Sequence, residues 1–186
     1  MEIEELGIAG LWKINSPVIS DERGSFREWF KQDELIQKTG KMFSVRQANL
    51  SKSSRGSLRG IHFSLSHTGQ AKLVTCASGA IWEVVVDLRT GSPTFKKWVG
   101  INLEAAMGTS IVVSEGLGHG FLAMEENSIV TYLLTSPYSP LEEFGINPMD
   151  PELDIEWPID NYIFSKKDQE APSLSVLQAL GKLPKF

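Results

Sequence analysis

Only one cysteine, Cys76, stands among the 186 residues, so no internal disulfide can form. That scarcity fits a reducing compartment, and the cytoplasm is the expected location. Long apolar runs are missing as well. No window approaches the roughly 18 apolar residues of a membrane-spanning helix, which excludes a membrane span. The opening segment from Met1 to Gly10 is acidic and has no basic stretch ahead of an apolar one, unlike a secretory signal peptide. Basic residues are the minority, 18 against 23 acidic, for a formal charge of −5. A general attraction to nucleic acid is therefore not expected, although a few converging arginines and lysines can still build a local phosphate pocket. Internal repeats, low-complexity tracts and Pro/Gly/Ser-rich linkers are absent. The length and the 41% hydrophobic content suit one domain over residues 1–186 with a sizeable core.

What the chain does have is many short apolar or alternating runs punctuated by turn signals. Such runs cover residues 43–50, 57–63, 71–76, 80–88, 98–103, 110–113, 120–124 and 128–134. Ser51 to Gly56, Ser78-Gly79 and Arg89 to Pro93 read as the turns between them. Runs this short do not leave room for the helical crossovers of a parallel α/β fold, and they predict a mainly β sandwich or barrel. Two helices are expected to cover its edges. Gln32 to Lys38 carries Leu35 and Ile36 and stops at Gly40, and Pro172 to Leu180 puts Leu174, Val176 and Leu177 on roughly one side. Trp29, Trp98 and Trp157 are expected in the core or at subunit contacts.

Three histidines exist. His62 and His119 lie in glycine-containing segments, and His67 in what reads as an exposed loop. In a regular strand His62 shares a face with Leu58 and Gly60 while Arg59 points the other way, unless the strand bulges. Lys72 alternates with Val74 and Cys76, and Tyr132 with Val130 and Leu134, so both are expected to face an apolar interior, where a polar group needs a partner. Each residue alone also has a plain structural reading: a solvated lysine, a core tyrosine, a turn-capping His119. A histidine metal site is the competing chemical reading, but there is no His-x-His pair. Dinucleotide and phosphate-loop fingerprints are missing, and Ser114-Glu115-Gly116 is not a nucleophile elbow.

An ordered set of segments goes further: Asp21 to Glu28, Arg46 to Ser51, Gly56 to His62, Gly69 to Val74, Val86 to Phe95, Gly118 to Phe121, Asp150-Pro151, Ile155 to Pro158 and Ser165 to Asp168. Together, from about Gly7 to Leu177, they resemble the dTDP-4-dehydrorhamnose 3,5-epimerase family and its relatives in deoxysugar biosynthesis. The resemblance implies a cupin-type jelly-roll barrel with short flanking helices, a homodimer whose subunits exchange strands, and no metal or other cofactor. It implies a dTDP-linked 4-keto-6-deoxyhexose as substrate, epimerised beside its ketone through an enolate. His62 would be the base, Asp168 its carboxylate partner, Tyr132 the acid on the opposite face and Lys72 the stabiliser of the enolate oxygen. Arg23 and Arg59 match diphosphate-gripping positions. Phe26, Glu28, Gln47 and Asn49 match nucleotide- or sugar-contacting ones, and His119, Tyr138 and Glu143 match pocket residues.

One departure is visible: Ser64 stands two places after His62, where the rhamnose-pathway enzymes commonly carry glutamine. The loop from Leu65 to Gln70 likewise looks more like that of antibiotic-sugar epimerases, some of which invert only carbon 3 or only carbon 5. Double epimerisation is the primary expectation and a monoepimerase the alternative. Outside that class stand a metal-dependent cupin and a non-catalytic sugar-nucleotide-binding protein; the latter has no use for an acid–base pair.

Overall fold

Inward and outward side chains alternate along the strands, and this sorts the chain into stacked layers. The computed structural model describes residues 1–186. The strands are β1 (Glu2–Glu5), β2 (Leu11–Asn15), β3 (Ile19–Asp21), β4 (Gly24–Phe26), β5 (Gln47–Ser53), β6 (Ser57–Ser64) and β7 (Lys72–Ser78). They continue with β8 (Ala80–Asp87), β9 (Trp98–Glu104), β10 (Thr109–Val113), β11 (Leu117–Ala123), β12 (Ser128–Leu134), β13 (Glu143–Gly145) and β14 (Ile163–Phe164). One six-stranded sheet has the order β1-β2-β10-β7-β12-β5. The other runs β13-β6-β11-β8-β9, with the short β14 lying parallel to the start of β6. Their crossing connections make the β barrel that the short strands predict, in the cupin-type jelly-roll form that the resemblance implies.

Three apolar clusters follow from this stacking. Between the sheets lie Leu11, Val74, Cys76, Ile81, Val85, Leu103, Ile111, Val113, Phe121 and Val130. The outer face of the second sheet, with Leu58, Ile61, Phe63, Val84 and Val86, is covered by Ile146, Leu153, Trp157, Leu174 and Leu177 from the C-terminal segment. The outer face of the first sheet, with Ile14, Leu73 and Val112, is covered by Leu35 and Phe43. Leu35 belongs to helix α1 (Gln32–Thr39), which stops at left-handed Gly40. Two short helices follow, α2 (Lys166–Gln169) and α3 (Leu174–Ala179), each capped by a serine hydroxyl, Ser165 and Ser173. No helix is long and apolar enough to cross a membrane.

Several expectations shift. The 43–50 run is not a strand throughout: pairing begins at Gln47 and passes through the supposed turn to Ser53, while Phe43 packs under α1. Helix α3 starts two residues late, at its serine cap, and Val176 is half exposed rather than aligned with Leu174 and Leu177. Trp157 is core, its indole N–H donating to the Pro148 carbonyl at 3.0 Å. β3 and β4 pair only with each other, as a hairpin outside both sheets.

Candidate active site

A cavity opens between the sheets at one end of the barrel, in two adjoining lobes of about 210 and 200 Å³. His62, His119, Tyr132 and Lys167 line both lobes. β6 and β11 of one sheet supply the histidines, and β12 of the other supplies the tyrosine. Lys72, Asn49, Tyr138 and Glu143 line one lobe; Arg59, Ser51 and Asp168 line the other.

Regular alternation does not hold in β6. His119 pairs with His62 but Phe121 with Arg59, so two residues of β11 span three of β6. This bulge puts Arg59 and His62 together on the cavity side, while Leu58, Ile61 and Phe63 stay in the core. The regular-strand expectation, His62 beside Leu58, is thereby corrected. Gly60 permits the bulge. Its φ is +121°, and a Cβ there would sit 2.4 Å from the Gly120 Cα.

His62 Nε2 lies 2.6 Å from Asp168 Oδ1. Asp168 is buried on α2, and although burial pushes its carboxyl up, hydrogen bonds from His62, the Ser165 hydroxyl and the Gly60 backbone hold it below the usual carboxylate range. It is therefore ionised at neutral pH and accepts Nε2–H, which leaves Nδ1 of His62 with a free lone pair. Lys72 is 5% exposed and makes no ion pair. Burial lowers its ammonium to about 8, against the pull of the Glu143 carboxylate. Tyr132 and Lys72 do share the inward face with Val130, Val74 and Cys76, as their alternation requires. Gln70 Nε2 donates to Glu143 Oε1 at 2.9 Å. Gln47 lies just behind the lining, donating to Asn49 Oδ1 and accepting from the Tyr138 backbone N–H.

Three expected site residues are elsewhere. Arg23 and Phe26 sit on the exposed β3–β4 hairpin, with Arg23 ion-paired to Asp21, and Glu28 follows in an ion pair with Lys31. None of them touches this chain's own cavity. His67 is exposed, as expected of a loop.

The residues of this chain match the family model for dTDP-4-dehydrorhamnose 3,5-epimerase over 5–176. The chain belongs to that family. A dTDP-4-dehydrorhamnose 3,5-epimerase of Mycolicibacterium smegmatis is 47% identical over 99% of this chain and 91% of its own length. A dTDP-4-dehydrorhamnose 3-epimerase of Streptomyces niveus is 42% identical over 100% and 90%. Among solved structures, a 4-keto-6-deoxy sugar epimerase from the novobiocin cluster of Streptomyces spheroides superimposes with a TM-score of 0.97 at 42% identity, over 100% and 94% of the two chains.

Several residues that line or back this cavity do not stand out in the sequence. Lys167 and Ser165 adjoin Asp168, and a serine three residues before an acid is a helix-cap signal. Ser51 reads as the start of a turn in the sequence but lies on β5 and lines the cavity. Glu83 was the most legible: it is an acidic residue at an inward position of β8, between Ile81 and Val85. No group of three or more His, Cys, Asp or Glu side chains is placed to hold a metal ion.

Proposed function

We propose that this chain is a dTDP-4-keto-6-deoxyhexose epimerase that inverts carbons 3 and 5 of the 4-keto-6-deoxyglucose nucleotide by proton removal and return. The observation that carries the reading is that His62 and Tyr132 face one cavity from opposite sheets, with the buried Lys72 ammonium in the same lobe. A 4-keto sugar has acidic C–H bonds on both sides of its ketone. His62, oriented by Asp168, removes one such proton as general base, and the electron pair moves onto the carbonyl oxygen. Lys72 offers its positive charge to that oxygen, where a preorganised donor acts most strongly because water is excluded. Tyr132 then gives its phenolic proton to the carbon from the other side, and inversion follows. Solvent returns a proton to the phenolate and takes one from the imidazolium, which resets the pair. No cofactor takes part in this scheme.

Arg59, on the rim beside Ser53, suits the diphosphate because guanidinium matches paired phosphate oxygens. Asn49, Gln47, Tyr138, Glu143 and His119 take the sugar and nucleotide. Arg23, Phe26 and Glu28 reach the cavity of a partner subunit, so the working unit is a homodimer. The unattached β3–β4 hairpin, with Ile19 and Phe26 each 63% exposed, supports this assignment. The lone buried Cys76 fits a cytoplasmic enzyme.

The test is turnover of dTDP-4-keto-6-deoxyglucose in deuterated water, with the product read by NMR and mass spectrometry. Deuterium at carbons 3 and 5 with both centres inverted is expected; absence of exchange at either carbon overturns the reading. Deuterium at carbon 3 alone favours the second reading, a 3-epimerase, which the Streptomyces niveus relative brings into view. His62→Ala and Tyr132→Phe should each lose about 10²–10⁴-fold in rate.

A further inference from the structure

The barrel holds a second histidine–carboxylate pair that the proposed chemistry leaves unused. Glu83 is fully buried on β8, with Ile81 and Val85 pointing into the same apolar layer. Its Oε1 lies 2.7 Å from His119 Nδ1, and its Oε2 is sealed from solvent with no hydrogen-bond partner. The charged group facing it is Lys72 on β7, which forms no ion pair with it; His62 faces the His119 ring. The other nitrogen of His119, Nε2, has no partner within the chain, and the residue lines both lobes of the cavity.

We propose that Glu83 is a neutral carboxylic acid that donates its proton to His119 Nδ1, so that His119 presents Nε2–H to the cavity as a second hydrogen-bond donor to the sugar oxygen on which charge develops. This rests on the epimerase reading above. A carboxylate with one oxygen sealed and unpaired in an apolar layer carries a large desolvation cost, and a neutral acid avoids it. Of the two neutral arrangements, one donates Oε1–H to Nδ1 and leaves Oε2 as an unpaired carbonyl oxygen. The other accepts Nδ1–H and strands a buried hydroxyl. Buried unpaired carbonyls are tolerated better than buried unpaired donors, so the first holds. Burial moves both groups toward their neutral forms, the Glu83 carboxyl well above the usual carboxylate range and the His119 imidazole well below its ordinary value. The two pairs are thus set oppositely: ionised Asp168 makes His62 a base, and protonated Glu83 makes His119 a donor. Glu83 is a positioning residue that acts through His119.

Nitrogen NMR of ¹⁵N-histidine-labelled enzyme without substrate reads the tautomer directly, whatever the enzyme turns over. His119 is expected with Nε2 protonated and Nδ1 bare; a protonated Nδ1 overturns the proposal. Kinetics give the second measurement. Glu83→Met, which cannot hold the tautomer, should lose about 100-fold in kcat, the usual effect of removing one oxyanion donor, with KM little changed. Glu83→Gln can donate N–H to Nδ1 and should recover most of that loss. It should also leave the alkaline limb of kcat/KM, set by Lys72, where it lies in the parent enzyme. A limb moved to lower pH in Glu83→Gln means that a negative charge was removed, and refutes the neutral acid. Equal loss in both variants, with dTDP binding and thermal unfolding intact, refutes the tautomer role. If the parent enzyme exchanges no substrate hydrogen with solvent, the epimerase reading fails, and the NMR result still stands on its own.

Discussion

Replacing Lys72 by methionine should make the protein more stable and nearly inactive. The ammonium is 5% exposed, without an ion pair, and burial takes it from 10.5 to about 8. That difference of 2.5 units corresponds to about 3 kcal/mol of destabilisation carried by the charged form, at about 1.36 kcal/mol per unit. Below about pH 8 the group is protonated in both states and the full cost applies. Between about 8 and 10.5 the unfolded chain binds more protons, so stability rises with pH and the cost fades. Methionine matches the length and apolar stem without the charge. Denaturant unfolding of the two proteins at pH 7 and at pH 10 should therefore show the variant ahead by about 3 kcal/mol at pH 7 and by less than about 1 kcal/mol at pH 10. Comparing the variants cancels other groups that titrate in this window. In the same protein, kcat should fall by about 10²–10³, as for loss of a preorganised donor at a developing oxyanion. The parent enzyme should lose kcat/KM as pH rises through about 8, when the charge that meets the enolate disappears. A variant that is less stable at pH 7, or that keeps parental turnover, would sink this account of Lys72.

Two further outcomes follow from the geometry. Gly60→Ala puts a Cβ 2.4 Å from the Gly120 Cα and 2.8 Å from the His119 carbonyl oxygen, at φ +121°. It should cost about 3 kcal/mol or more, visible as a lowered thermal midpoint together with lost activity, because Arg59 and His62 depend on the same bulge. An unchanged midpoint would show that the close approach constrains nothing. The dimer assignment is checked by complementation: Arg23→Ala and His62→Ala, each weakly active alone, are unfolded and refolded together. If Arg23 serves the partner's cavity, half the dimers are hybrids with one intact site, so about a quarter of parental activity returns. No recovery places Arg23 outside the partner's site.

Much of this site is legible in the sequence, for physical reasons that differ by residue. Lys72 and Tyr132 are readable because strand period fixes their face: Lys72 keeps the alternating register of Val74 and Cys76, and Tyr132 that of Val130 and Leu134, so both point inward. Arg59 and His62 are not readable that way, since one inserted residue reverses the phase and only the Gly60–Gly120 approach reveals it. Asp168 lies 106 residues from His62, and no local pattern joins them; the family resemblance alone made that pairing visible. The strands before residue 30, and β13 and β14, escaped because they are short; β2, β13 and β14 moreover owe pairing to strands distant in the chain, while β3 and β4 form an exposed local hairpin. Glu83 was readable by the same alternation as Lys72, and its burial is the price of arming His119.

The long separation of His62 from Asp168 also bears on how the protein is made. The strands that carry His62, Lys72, His119 and Tyr132 are complete by Leu134, yet the carboxylate that orients His62 arrives only when residues 163–169 dock beside the start of β6. A chain halted on the ribosome before Ile163 has made the strands that carry His62, Lys72, His119 and Tyr132, but it lacks Asp168, the neighbouring cavity residues Ser165 and Lys167, and the Leu174 and Leu177 side chains that cover the second sheet. Synthesis thus withholds the proton-abstracting step until nearly all of the described sequence has emerged. A prematurely terminated product therefore lacks the oriented base, whatever part of the barrel it has formed.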